Sequence, residues 1–231
     1  MTLTNRTLVI MAKAPRLGSV KTRLAESLPP QAVTELYLCL LNDTIALAQS
    51  LENAEIAVMC PASDVADLSR AVCETVRILP QTGQGLAAGL ASVFAHFATP
   101  GRRRVIAFNS DSPHLPASVL QTAFDVLENR DLIVGPTHDG GYYLVGAKAS
   151  HPDLFINDGM GTANALDALL TRARVLELSV HLTDPFYDID VAADLRQLAD
   201  ELQRVPGKAP RTAKWLSERA SARAANKGQF L

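Results

Sequence analysis

Short apolar runs alternate with longer amphipathic segments along the first half of the chain, and this alternation narrows the fold more than any other feature. Thr7-Leu-Val-Ile-Met11 is apolar on both faces and rich in β-branched residues, as befits a central strand covered by helices on both sides. Between Pro29 and about Leu51, Val33, Leu36, Tyr37, Leu40, Leu41, Ile45 and Ala48 recur at helical spacing, which predicts a long amphipathic helix. Glu55 to Cys60 reads as a second strand, Asp64 to Ala71 as a short helix, and Thr75 to Leu79 as a third strand ended by Pro80. A β-α-β-α-β succession builds a parallel sheet with helices on its faces. With 231 residues, 48% of them hydrophobic, the chain is long enough for one α/β domain with a sizeable core. We expect that domain over residues 1–204, followed by a basic tail over 205–231.

Charge and cysteine usage exclude several functions. A formal net charge of −2 leaves no global field to recruit nucleic acid or an acidic membrane, so any anion site has to be local. The three cysteines, Cys39, Cys60 and Cys73, are odd in number and lack metal-ligand spacing, which argues against a disulfide scaffold or a zinc site and fits a reducing cytoplasm. The apolar run Leu8 to Met11 is too short for a signal segment, and no run is long enough to span a bilayer. The five histidines are scattered, and no serine sits in a G-x-S-x-G elbow.

The stretch Val105 to Phe108, between a basic triplet and Asn109-Ser110-Asp111, reads as a buried strand delivering a carboxylate at its C-terminal end. Open α/β sheets place their ligands there. Pro113 and Pro116 make Ser110 to Leu115 a tight loop ahead of a helix reaching about Asn129. Asp111 is thus a candidate ligand for Mg²⁺ or Mn²⁺ on a nucleotide phosphate, with a turn or capping role as the structural alternative. The loop after the first strand, Ala12 to Leu24, carries Lys13, Arg16, Lys21 and Arg23 beside the same crevice. These are candidate phosphate contacts, unless the loop is simply a solvated basic one. Neither the Walker spacing nor the G-x-G-x-x-G fingerprint is present.

Gly83 and Gly85 lie where the third strand turns into a helix ending near Ala98, a place where a nucleotide can approach the backbone, while Gly89 suits close packing. Asp131 to Pro136, then Asp139-Gly140-Gly141, then Tyr142 to Gly146 is a hairpin signal that adds one antiparallel strand. Tyr142 and Tyr143 should point to opposite faces. For His138 and Asp139, catalysis competes with turn chemistry. Asn157 to Thr162 should open a helix reaching about Ala173 with Thr162 as its cap, followed by a last short strand at Val175 to Leu178. Asp188 and Asp190, two residues apart, offer a second carboxylate to a metal, although Asp190 equally suits the cap of a helix over Val191 to Leu202, near whose start lies Asp194. In the tail, six cations face the single acid Glu218; Trp215 and Leu216 can dock it, and Ala220 to Leu231 should fray.

Taken in order, Met11-Ala-Lys13-Ala-Pro15-x-x-Gly18-x-x-Lys21-Thr22-Arg23-Leu24, Ser110-Asp111-Ser-Pro113-x-Leu115, Gly135-Pro-x-x-Asp139-Gly140-Gly141-Tyr142-Tyr143-Leu144 and Tyr187-Asp188-Ile-Asp190 with Asp194-Leu195 resemble one bacterial group. It comprises the GT-A-fold transferases known as rSAM/selenodomain-associated transferases or arsenosugar-biosynthesis glycosyltransferases, related to phospholactate guanylyltransferase. The resemblance covers about residues 7 to 200. It implies a three-layer α/β/α, Rossmann-like GT-A fold with a mostly parallel mixed sheet, a divalent metal at Asp111 with Asp188 or Asp190 as second carboxylate, and nucleotide over the first crevice. Phosphate contact falls to Lys13, Lys21 and Arg23, and an acceptor-side role to Asp139, Gly140, Gly141 and Tyr142. Arg16, Gly83, Gly85 and Ser110 complete the expected nucleotide side, and Asp111, Lys21 and Asp139 the expected catalytic set. The chain departs from the group where Gly85, Ala87 and Gly89 replace the Asp, second Gly and Arg of a Gly-Asp-Leu-Gly-x-Arg loop, and where Val191-Ala192-Ala193 replaces Thr-Pro-Glu.

Two reactions use these parts. Nucleotidyl transfer to a small phosphorylated acceptor needs cations and metal but little base chemistry; glycosyl transfer from a nucleotide sugar benefits from a base such as Asp139 or His138. The cation-rich loop favours the first. A nucleotide-binding regulator without catalysis is a third reading, drawn from the departures. No nucleic-acid or membrane partner is expected, and no oligomeric state is encoded in a recognisable pattern.

Overall fold

The sheet contains β1 (Arg6–Met11), β2 (Ala54–Cys60), β3 (Arg77–Pro80), β4 (Arg104–Phe108), β5 (Leu132–Pro136), β6 (Tyr142–Ala147) and β7 (Val180–Leu182), in the spatial order β3-β2-β1-β4-β6-β5-β7. The computed structural model describes residues 4–73, 75–98, 103–156 and 163–227. β6 runs antiparallel to both β4 and β5, and the other neighbours are parallel. The helices are α1 (Pro30–Gln49), α2 (Val65–Ala71), α3 (Gly85–Phe97), α4 (Ala117–Val126), α5 (Ala165–Val175), α6 (Ala192–Arg204) and α7 (Pro210–Lys227). This is the expected three-layer, mostly parallel mixed sheet of the GT-A type.

The run at β1 is apolar throughout because both its faces are covered. Leu8 and Ile10 enter one core with Leu41 and Ile45 of α1 and Leu120 and Phe124 of α4. Val9 enters the opposite core with Leu90, Val93 and Phe94 of α3 and Leu169 of α5. Each such side chain removed from water contributes about 1.5–3 kcal/mol. A third core forms on the far side of α1, where Val33, Leu36 and Leu40 meet Leu195, Leu198 and Leu202 of α6, with Trp215 and Leu216 of α7 against them. The buried Asp43 of α1 sets the start of α7: its carboxylate accepts the Thr212 N–H at 2.8 Å and the Arg211 N–H at 3.2 Å, a favourable place for negative charge.

Several boundaries differ from those read in the sequence, α4 ending at Val126 rather than near Asn129 among them. Val175 ends α5 rather than opening a strand: Glu177 turns the chain in the left-handed region (φ 53°), the Leu178 N–H returns to the Ala173 carbonyl, and the last strand is β7, paired with β5. β3 begins at Arg77 instead of Thr75, and α7 stays helical through Lys227 where fraying was expected from Ala220. The proposed cap at Thr162, with Asn157 to Gly161 before it, lies outside the described residues. None of the helices in the described residues is long and apolar enough to cross a membrane.

Candidate active site

β1 has β2 on one side and β4 on the other, so the chain leaving Met11 and the chain leaving Phe108 diverge at adjacent strand ends. A parallel sheet opens a crevice at such a switch point. Here it is a cleft of about 730 Å³, lined among others by Lys13, Lys21, Arg23, Gly85, Ser110, Asp111, Tyr142, Asp188 and Asp190. Segments more than a hundred residues apart in sequence therefore meet where the loop after β4 was expected to present Asp111.

The basic loop is pinned by its apolar residues. Val20 and Leu24 are buried, Lys21 between them adopts a left-handed backbone (φ 47°, ψ 47°), and a 3₁₀ turn follows at Thr22–Glu26. Lys21 is thereby turned inward, with only 8% of its side chain exposed. Its ammonium ion-pairs with Asp111 Oδ2 and stands 2.8 Å from Asp190 Oδ1. Burial alone would push the lysine pKa down, but the charges of Asp111 and Asp190 outweigh it and hold the group protonated, above its ordinary value. Arg23, 65% exposed, reaches the other Asp190 oxygen at 3.4 Å.

Asp188 and Asp190 reach the cleft together because Ile189 between them points into the third core. Asp190 is not the cap of α6. The cap position is Val191, and Asp194 at the third helical position secures it: its carboxylate accepts the backbone N–H groups of Asp190 at 2.9 Å and Val191 at 2.8 Å. Asp188 Oδ1 accepts from Asn109 Nδ2 at 2.8 Å and from Ser112 Oγ at 3.3 Å. Burial, reinforced by the charge of Asp111, pushes its pKa up to about 7.

Tyr37 ties the two loops together. Its hydroxyl accepts the Lys13 N–H at 3.1 Å, lies 3.2 Å from the Lys13 carbonyl, and is 3.2 Å from Ser110 Oγ. The sequence offers Tyr37 only as one member of an amphipathic stripe, so its helical spacing conceals the role of the hydroxyl. For Asn109 and Ser112 the sequence carries one signal, their place beside Asp111 in a strand-end loop.

Other candidates lie elsewhere. Arg16 does not line the cleft: its guanidinium forks onto Asp64 at 2.6 Å and Asp67 at 2.6 and 2.9 Å, while Asp64 also accepts the Ala14 N–H at 2.8 Å, stitching the loop to α2. Gly85 lines the cleft at the start of α3, whereas Gly83 sits in the turn before it. Asp139 Oδ1 accepts from Thr137 Oγ1 at 2.6 Å and from the Gly141 N–H at 3.2 Å; the Thr137 bond in particular holds its carboxyl below the ordinary range. Gly140 takes φ +86°, and a Cβ there would lie 1.9 Å from the Ala163 carbonyl oxygen. Asp139, Gly140, Gly141 and His138 do not line the cleft, but Tyr142 does. Tyr143 also borders the cleft, but its side chain packs in the core on the opposite face of the sheet, with its hydroxyl 2.7 Å from Thr183 Oγ1.

Among the described residues, no group of three or more His, Cys, Asp or Glu side chains is arranged to hold a metal ion. Mg²⁺ carried by a nucleotide asks for less, one or two carboxylates with phosphate and water completing its shell. Asp111 Oδ1 is buried with no hydrogen-bond partner among the described residues, and Asp188 stands close enough to feel the Asp111 charge, so these two residues fit such an ion.

The chain as a whole is similar to several known proteins. The phosphoenolpyruvate guanylyltransferase of Sphaerobacter thermophilus is 27% identical over 196 residues, covering 84% of this chain and 93% of that one. A candidate nucleotide-diphospho-sugar transferase of known structure from Desulfovibrio desulfuricans G20 superposes with a TM-score of 0.85 at 25% identity, covering 94% of this chain and 96% of its own. The Mycobacterium tuberculosis protein Rv0371c, solved in complex with manganese, shares the fold at a TM-score of 0.50 and 18% identity, covering 86% of this chain and 100% of its own. A family model described as an uncharacterized protein conserved in bacteria (DUF2064) matches residues 44–162, just over half of the chain. A transferase of GT-A-like fold, related to nucleotidyltransferases, the chain belongs to the bacterial DUF2064 family.

Proposed function

We propose that the protein transfers a nucleoside monophosphate from a nucleoside triphosphate to a small phosphorylated acceptor and releases pyrophosphate. The observation that carries this reading is the buried Lys21 ammonium on Asp111, with Arg23 behind it, at the strand-end cleft. In this reaction an acceptor phosphate oxygen attacks the α-phosphorus and the bond to pyrophosphate breaks. The nucleophile is already ionised, so the site has to position reactants and stabilise phosphate charge rather than remove a proton. The cleft is provided with cations, whereas Asp139, the residue best suited to act as a base for glycosyl transfer, is engaged in its turn.

In this reading Lys13, Lys21 and Arg23 bind phosphates, Ser110 and the backbone at Gly85 face the nucleotide, and Tyr142 borders the acceptor side. Tyr37 holds the Lys13 and Ser110 loops at a fixed separation. A divalent ion, when bound, would be held by Asp111 and Asp188 and would supply Lewis-acid charge to phosphate oxygens. The manganese complex of Rv0371c and the guanylyl transfer named for the Sphaerobacter relative support the assignment. A cytoplasmic setting would supply the nucleotides.

The test is to incubate the protein with Mg²⁺ or Mn²⁺, each nucleoside triphosphate and a panel of phosphorylated acceptors headed by phosphoenolpyruvate, and to assay pyrophosphate. Parallel reactions with nucleotide sugars are assayed for nucleoside diphosphate. Acceptor-dependent pyrophosphate is the expected product; nucleoside diphosphate from a sugar donor would replace this reading with glycosyl transfer.

A further inference from the structure

We infer that Lys21 makes this protein take up its divalent metal as a metal–nucleotide chelate rather than as a free ion. The inference rests on the nucleotidyl-transfer reading only in assuming that nucleotide phosphates occupy the cleft. Lys21 Nζ touches Asp111 Oδ2 and stands 2.8 Å from Asp190 Oδ1, so the ammonium already occupies the negative centre to which a free cation would be drawn. A dication on Asp111 would sit beside a buried monocation in a poorly screened environment, and their repulsion opposes binding.

The ammonium has little freedom to yield. Val20 and Leu24 are buried on either side of Lys21, and its left-handed backbone is one that a non-glycine residue keeps only when its surroundings impose it. The anionic partners of Lys21 within the protein are Asp111 and Asp190. Triphosphate oxygens would offer it new anionic partners within the same cleft and would bring the metal with them. The remaining Asp111 oxygen, Oδ1, is buried with no hydrogen-bond partner among the described residues, and so stays available to that metal. Metal and nucleotide should therefore bind with positive coupling, each raising the affinity of the other by the same factor.

The test is Mn²⁺ binding to the full chain followed by electron paramagnetic resonance, without acceptor and therefore without turnover. Lys21→Met, which keeps most of the side-chain length and removes the charge, should bind free Mn²⁺ at least about tenfold more tightly than the wild type, a factor equivalent to about 1.4 kcal/mol. Equal or weaker binding by a folded Lys21→Met would overturn the inference. A second measurement needs only the wild type: its melting temperature should hardly respond to millimolar Mn²⁺ alone and should rise when Mn²⁺ is combined with one of the four nucleoside triphosphates. A full rise with Mn²⁺ alone would equally overturn it. Coupled binding without acceptor-dependent pyrophosphate release would sink the nucleotidyl-transfer reading and leave this one standing.

Discussion

The Lys21 ammonium stands 2.8 Å from the Asp190 carboxylate although 169 residues separate them in the chain. That contact, together with the ion pair from Lys21 to Asp111, joins the loop after β1, the loop after β4 and the segment leading into α6 at one buried charge. The consequences differ from residue to residue.

Asp111→Asn should abolish most turnover and leave the fold intact. The substitution keeps the side-chain shape but removes the charge that faces Lys21 and any metal, so kcat/KM for pyrophosphate release should fall by about 10² or more. Circular dichroism should remain that of the wild type, with thermal melting lowered only to the extent that Lys21 is left with Asp190 as its anion. Wild-type rates at saturating Mg²⁺ would remove Asp111 from the mechanism.

Lys21 and Arg23 should separate in stability although both should weaken nucleotide binding. Lys21→Ala leaves Asp111 and Asp190 without their shared cation and should cost on the order of 2 kcal/mol, less than a fully buried pair because Asp190 is 36% exposed. Arg23 is 65% exposed, and Arg23→Ala should change stability by less than about 0.5 kcal/mol. Urea unfolding measures the first difference and calorimetric nucleotide titration the second; equal stability losses would contradict the burial argument.

Asp139→Asn should retain kcat/KM within about threefold, because an amide oxygen can still accept from the Thr137 hydroxyl and the Gly141 N–H. Asp139→Ala, which loses both bonds, should cost about 1 kcal/mol of stability. A 10²-fold loss of activity in Asp139→Asn, the range expected for a general base, would restore a catalytic role.

His114 should make the fold acid-sensitive. It is buried against the rings of Phe186 and Tyr187, at centroid distances of 4.8 and 4.4 Å, and burial lowers its pKa from 6.5 to about 4. The unfolded chain therefore binds the proton more readily. The neutral-His contribution is complete above pH 6.5 and is lost as pH falls toward 4, by about 3 kcal/mol in all. Unfolding free energies at pH 7 and pH 4.5 should differ more for the wild type than for His114→Phe.

Asp188 should act in the opposite sense. Its folded pKa is raised from 3.8 to about 7 by burial and by Asp111, so the stability it allows is complete below pH 3.8 and declines as pH rises through 7. In metal-free protein, Asp188→Asn should be more stable than wild type at pH 8, and the gain should shrink at pH 5. A variant equally destabilised at both pH values would show that the hydrogen bonds from Asn109 and Ser112 outweigh the charge.

Much of this molecule is legible in local pattern. The apolar run at β1, the helical spacing of α1 and the Asp139-Gly140-Gly141 turn between β5 and β6 each announce their conformation within a few residues, because backbone geometry fixes which side chains share a face. A carboxylate at the end of β4 could be placed for the same reason. The run Val175 to Leu178 misleads because a short apolar stretch suits a helix end as well as a strand, and the left-handed turn at Glu177 resolved it.

Tertiary structure decided which of several similar residues belong to the cleft. Arg16 and Lys21 are cations five positions apart in one loop, yet Arg16 is taken by Asp64 and Asp67 while Lys21 is buried on Asp111 and Asp190. Asp190 and Asp194 both suit a helix start, and packing of Ile189 into the third core turns Asp190 toward Lys21 while Asp194, inside the first turn of α6, accepts the N–H groups of Asp190 and Val191. Tyr37 follows the spacing of a core residue, and only the approach of the Lys13 and Ser110 loops makes its hydroxyl a link between them. Periodicity in the sequence determined the elements because it reflects neighbours a few residues away; the partners of these charges and hydroxyls lie tens to more than a hundred residues distant, so they became defined only when the sheet brought its strand ends together.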